Sequence, residues 1–175
     1  MSLSVRPATP ADIPELHALI EGAYRGDSAR RGWTHEADLL GGQRTDVEAL
    51  EEILADEAKV LLTAWDGPTL VGCVLAAEEA GGVGYLGMLS VDPARQAGGI
   101  GRRLVEAAEA WCGARGCGVM RMTVIRQREA LIAWYERLGY VRVGTEPFPA
   151  TNPRFGLPKR DDLGFVVLRR PLQPI

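Results

Sequence analysis

The run Gln96-Ala97-Gly98-Gly99-Ile100-Gly101-Arg102 packs three glycines between an apolar segment ending at Val91-Asp92-Pro93 and a helical pattern. This is the pattern of an anion site. The first N–H groups of a helix have no partner within it, the helix dipole favours negative charge there, and glycines let a phosphate approach closely. The same glycines would also serve tight packing of helix on strand, so the spacing alone leaves both uses open. Residue types exclude two other phosphate motifs. A P-loop ends in Gly-Lys-Ser/Thr, whereas Gly101 is followed by Arg102 and Arg103. A GxGxxG dinucleotide fingerprint counted from Gly99 would put its third glycine at Leu104.

Other groups with chemical capacity are scattered. Tyr135 carries a hydroxyl on a helical pattern, a setting in which a tyrosine usually joins the core. His17 and His35 have no sequence neighbours that suggest a dyad or a metal site. Cys73, Cys112 and Cys117 are odd in number and lack both CxxC spacing and a nearby histidine, so they read as buried reduced thiols, with no metal expected. Glu36, Glu78 and Glu79 are candidate bases that spacing does not rank, and each also reads as solvated surface. Arg25, Arg30, Arg31 and Arg44 surround Trp33. Arginine grips carboxylate or phosphate bidentately and tryptophan offers a flat face, although a solvated charged loop has the same composition.

The elements that must position these groups follow from local pattern. Leu3 to Arg6, followed by Pro7, suits an edge strand. Thr9, Pro10 and Asp12 open a helix with Ile13, Leu16, Leu19, Ile20 and Ala23 on one face. Thr45 and Glu48 have capping-box spacing before Val47, Leu50, Ile53 and Leu54. Tyr24 to Arg44 reads mainly as loop. Val60 to Trp65 and Leu70 to Ala77 flank Asp66-Gly67-Pro68-Thr69 as a hairpin, and Gly81-Gly82 turns into a strand from Tyr85 to Val91. The helix from Gly99 to Trp111 stops at Gly113 and Gly116. Val119 to Ile125 follows as a strand, Ala130 to Leu138 as a helix, and Tyr140 to Thr145 and Phe165 to Arg169 as the last strands. Pro147 to Pro158 is a long connection. The result is an α/β fold with a mixed sheet and helices on both faces.

The whole chain narrows the options. At 175 residues it is the size of one domain. A net charge of -3 and a pI near 5.5 give no general attraction for nucleic acid or anionic lipid. No apolar run or signal-peptide pattern points to a membrane, so a cytoplasmic protein is expected.

Two motifs resemble the GCN5-related N-acetyltransferase (GNAT) family. Gln96, Gly99 and Gly101 match the family's coenzyme A loop, written Gln or Arg, two residues, Gly, one residue, Gly or Ala. Leu89-Ser90-Val91-Asp92-Pro93 is similar to the strand before it. Ala130 through Trp134-Tyr135-Glu136-Arg137-Leu138-Gly139-Tyr140 resembles the family's Tyr-Glu-x-Leu-Gly-Phe segment. Val5 to Asp12 is similar to the family's usual start. Gln127 stands where the family often has asparagine.

The resemblance implies a single GNAT domain over residues 1–175, with a mostly antiparallel sheet and one splayed parallel strand pair. It implies acetyl-CoA as cosubstrate, its arm bonded by the backbone of Leu89 and Val91. Its diphosphate would be held by backbone N–H groups of Gln96, Ala97, Gly98, Gly99, Ile100, Gly101 and Arg102. Tyr135 would be the general acid. The implied reaction is acyl transfer to an amine, and the arginine cluster suggests a small acceptor with an acidic group. Modification of a protein N-terminus or lysine, or an acyl-CoA sensor without turnover, are the other readings. Monomer and homodimer are equally compatible with the sequence.

Overall fold

In the computed structural model the chain is described over residues 3–24, 40–41, 46–147, 157–158 and 164–172, with backbone alone at 24, 40, 41, 96, 97, 157 and 158. Strand β1 (Leu3–Pro7) lies at a sheet edge, where Pro7 costs the ladder no second-side donor. A 3-10 turn, Pro10–Asp12, leads into α1 (Ile13–Tyr24). Asp12 accepts from the Thr9 N–H at 2.8 Å and from Arg6 Nη1 at 2.9 Å, which closes the helix start and ties it to β1.

After β2 (Leu40–Gly41) comes α2 (Val47–Ala55). Its cap is Asp46, whose carboxylate accepts from the Ala49 N–H at 2.7 Å. The expected cap, Thr45, lies outside the described residues; a carboxylate at this position both reaches the third N–H and complements the helix dipole. Val47, expected on the apolar face, stays 39% exposed at the first helical position, while Leu50 and Ile53 are buried.

The expected hairpin forms from β3 (Lys59–Asp66) and β4 (Thr69–Glu79), and β5 (Val83–Val91) pairs antiparallel with β4. A short 3-10 stretch, Pro93–Gly98, leads to α3 (Ile100–Ala114), then β6 (Val119–Ile125) and α4 (Glu129–Arg137). The chain ends in β7 (Val141–Pro147), β8 (Leu157–Pro158) and β9 (Gly164–Pro171). The seven-stranded sheet has the order β1-β3-β4-β5-β6-β9-β7, and only β5 and β6 run parallel. β2 and β8 pair separately, joining two stretches read from sequence as loop and connection.

Both sheet faces are covered, as the alternation of residue types requires. Leu104, Val105 and Ala108 of α3 and Leu131, Ile132 and Tyr135 of α4 share one core with Leu62, Val74, Leu86 and Met122. Leu16 and Ile20 of α1 and Leu50 of α2 share the other with Leu61, Cys73 and Leu75. Each fully buried leucine contributes about 1.5–3 kcal/mol of transfer free energy. Among the described residues no helix is long and apolar enough to cross a membrane.

Candidate functional site

The parallel strands β5 and β6 pair only at Val83↔Val119, Gly84↔Met120 and Tyr85↔Arg121. Beyond Tyr85↔Arg121 no further rung joins them among the described residues, although β5 runs on to Val91 and β6 to Ile125. The two strands therefore part, leaving a gap at the middle of the sheet. Just past the split, Met88 and Leu89 stand against the single residue Val74 of β4, a bulge that bends β5 away. Met88 has φ +53°, a left-handed conformation that costs a side-chain-bearing residue about 1–2 kcal/mol, and such strain gathers at functional positions. Leu89 and Val91 follow on the same strand, both buried.

β5 aims at the glycine-rich turn. Asp92 fixes the near end, donating its N–H to Val71 O at 2.9 Å and accepting from the Ala94 N–H at 3.0 Å. Gly99 caps α3 at φ +75°, a conformation natural only to glycine. The first helical bond runs from the Arg103 N–H to Gly99 O at 3.2 Å, so the N–H groups of Ile100, Gly101 and Arg102 belong to the unpaired first turn. A Cβ added at Gly99 would meet no described atom within 4 Å, so space is open beside those donors. The residues present thus fit a diphosphate. Ile100 turns its side chain into the core, and Arg102 sends its own to Glu106 at 2.9 Å, so their contribution here is backbone. Gln96 and Ala97 lie in the 3-10 stretch; their side chains are outside the described residues.

The second motif meets the first in space. The Trp134 ring lies 3.5 Å from where a Gly101 Cβ would be, so α4 packs over the opening turn of α3. This close approach realises the packing use of the glycines. Tyr135 is 4% exposed, edge-on to Trp134 at 5.0 Å and to Tyr140 at 5.9 Å between ring centroids. It shares a core with Leu89, Val91 and Met122, the residues bordering the gap. Tyr140 donates to Glu109 Oε2 at 2.9 Å, and Arg170 Nη1 donates to the same oxygen at 2.7 Å. Burial, reinforced by the charge of Glu109, raises the Tyr140 pKa and keeps it a donor.

On the sheet face that carries α1 and α2, the last parallel rung presents Tyr85 and Arg121. Arg121 pairs with Glu146 of β7, lies 3.9 Å from Glu79 and stands 5.9 Å from the centre of the Tyr85 ring. Of the candidate bases, Glu79 belongs to this group. Glu78 faces the opposite side and pairs with Arg115 beyond α3 at 3.1 Å. His17 sits half-buried on α1. Glu36, His35, Trp33, Arg25, Arg30, Arg31 and Arg44 lie outside the described residues. Sequence reasoning missed Arg121, Tyr85 and Glu146: strand register pairs the first two, and the long Arg121 side chain reaches Glu146 on β7.

The cysteines are free and buried. Burial first, then the neighbouring Cys117, pushes the Cys112 thiol up to about 12, which makes it a poor nucleophile. Among the described residues no group of acidic, histidine or cysteine side chains could hold a metal.

A family model described as acetyltransferase (GNAT) family matches residues 23–140. No curated protein sequence matches the chain significantly. Solved structures share the fold at low identity. The ribosomal-protein-S18-alanine N-acetyltransferase from Escherichia coli is 14% identical with a TM-score of 0.72, covering 99% of this chain and 96% of its own. A ribosomal-protein-alanine N-acetyltransferase from Brucella melitensis is 20% identical with a TM-score of 0.74, covering 97% and 99%. yncA from Salmonella typhimurium, solved with its cofactor acetyl-CoA, is 17% identical with a TM-score of 0.73, covering 100% and 96%.

Proposed function

The chain belongs to the GNAT acetyltransferase family, and on that premise we propose that residues 1–175 form one catalytic domain transferring the acetyl group of acetyl-CoA directly to a primary amine of a small molecule. The observation that carries this reading is the parting of β5 and β6 after Tyr85↔Arg121, with the open N-terminus of α3 at one end and Tyr135 packed beside it. A strand gap admits a linear arm, and unpaired helix donors at its end suit a diphosphate.

Acetyl-CoA supplies the activated thioester. The backbone of Leu89 and Val91 lines the gap and bonds the arm, and the donors from Gln96 to Arg102 hold the diphosphate. A backbone N–H near Leu89 stabilises the charge that develops on the carbonyl oxygen as the amine attacks. The new C–N bond forms, the C–S bond breaks, Tyr135 gives its proton to the departing sulfur, and the proton shed by the acylated nitrogen passes through water to restore the tyrosine. The attacking nitrogen must be neutral, which for a lysine-like amine of pKa about 10.4 costs roughly 4–5 kcal/mol at pH 7. A base on the Glu79 side of the sheet, acting through water, would lower that cost.

Release of free thiol from acetyl-CoA, measured with separate pools of small amines and peptides, tests the proposal. Release with small amines supports it. Release with peptides alone assigns a protein acceptor, and binding without release in every pool leaves an acyl-CoA sensor. A set in which only neutral or basic small amines react would reject the acidic acceptor suggested by the arginine cluster.

A further inference from the structure

Arg95 immediately precedes the glycine-rich turn, and its side chain reaches away from it to the tip of the β3–β4 hairpin. Its Nη1 donates to Asp66 Oδ2 at 2.6 Å, across 29 residues of sequence. Both side chains are about a third exposed, at 36% and 30%. Asp66 has a firm base, because its backbone pairs with Leu3 on one side and Thr69 on the other. Arg95 does not. Its φ/ψ of -128° and 15° break the 3-10 stretch, so the backbone kinks at the residue whose side chain is anchored.

The turn thus has three fastenings. Asp92 secures its start, Gly99 and α3 secure its end, and the Asp66–Arg95 pair secures the kink between them. The charges sharpen the point. A carboxylate beside an anion site would repel a diphosphate, and an arginine so placed would ordinarily be a phosphate ligand. Here each occupies the other, so the pair contributes shape to the turn while its net charge is zero.

We propose that the Asp66–Arg95 ion pair is a positioning device for the cofactor turn: it holds the backbone from Gln96 to Arg102 in its receptive shape without touching the diphosphate. This rests on the reading of that turn as the coenzyme A site. The alternatives differ in sign. If Asp66 acted only by repulsion, removing its charge would tighten binding. If Arg95 were a direct ligand, its loss would weaken binding while loss of Asp66 would free it to bind better.

The test is calorimetric titration of coenzyme A into wild-type protein, Asp66→Asn, Arg95→Gln and the double variant, with melting curves for each and steady-state rates for acetyl-CoA. Positioning predicts that each single variant weakens binding about threefold to tenfold and that the double variant is no weaker than the worse single one. The KM for acetyl-CoA rises while kcat moves less than about twofold, since the reacting centre is untouched. Asp66→Glu, which keeps the charge, restores most of the affinity. Unchanged or tighter binding by Asp66→Asn overturns the proposal, as does additivity in the double variant. Should one single variant fail to fold, the other carries the same prediction. Wild-type protein that melts normally yet takes up no coenzyme A would sink the cofactor reading itself, a different result from any of these.

Discussion

The ring of Tyr140 meets Tyr135 edge-on at 5.9 Å, and the Tyr140 hydroxyl is fixed 2.9 Å from Glu109 Oε2 on the helix that begins at the glycine-rich turn. The proposed acid is therefore braced by a second tyrosine anchored to the proposed binding helix. Edge-to-face pairs of this kind contribute about 0.5–1.5 kcal/mol beyond burial, enough to favour one ring orientation.

Replacing Tyr135 with phenylalanine keeps the ring and its packing and removes only the proton donor. Turnover should fall roughly 100-fold or more while the protein stays folded, because general-acid contributions are of that size. Steady-state kinetics with any acceptor that reacts will decide; unchanged kcat would remove Tyr135 from the mechanism.

Tyr140→Phe has the opposite signature. It leaves Glu109 with Arg170 as its partner at 2.7 Å, so the loss is one hydrogen bond to a charged acceptor. Urea unfolding at pH 7 should show a destabilisation of about 1–2 kcal/mol. A variant as stable as wild type would mean that water replaces the hydroxyl at no cost.

Local pattern carried the hairpin around Asp66-Gly67-Pro68-Thr69, strand β6 to its ends at Val119 and Ile125, and the glycine turn into α3, because turn chemistry, alternation and glycine spacing act within a few residues. The contacts that shape the site escaped that reasoning. Asp66 with Arg95, Trp134 over Gly101, and Arg121 with Glu146 join residues far apart in sequence, and each depends on strand order or helix packing. Met88 gave no sign of its positive φ, since methionine has no left-handed preference; the bulge imposes it. Thr45 resembled a cap, yet Asp46 one residue later had the better acceptor for the Ala49 N–H.

Gly84 marks the middle of the three rungs that hold β5 to β6. A Cβ there would sit 2.6 Å from Met120 Sδ and 2.8 Å from both Cys112 Cβ and Sγ. The methionine tip can move, but the Cys112 Cβ is part of α3 and can yield only if the helix shifts. Gly84→Ala should therefore destabilise by about 1–3 kcal/mol, a fall in Tm of roughly 2–10 °C. Coenzyme A affinity should fall with it, because the strand gap opens from this base. A melting curve at the wild-type temperature would show that α3 is not seated as tightly as the contact implies.

Asp12 ties acid sensitivity to the start of α1. The hydrogen bond from Arg6 holds its carboxyl below the ordinary value of 3.8; burial opposes this, and the Thr9 N–H and hydroxyl add to the lowering. A folded pKa below the unfolded one means that the native state binds fewer protons, so this contribution is complete above the unfolded value and drains away as pH falls through the folded one. Asp12→Asn, which cannot ionise, should cost about 1–2 kcal/mol at pH 7, the worth of a capping carboxylate. Urea titrations of both proteins in steps from pH 7 downward should show the gap holding to about pH 4 and narrowing below it. A gap of constant size across that range would mean that Asp12 stabilises through shape alone, and that its charge and the Arg6 guanidinium contribute nothing net.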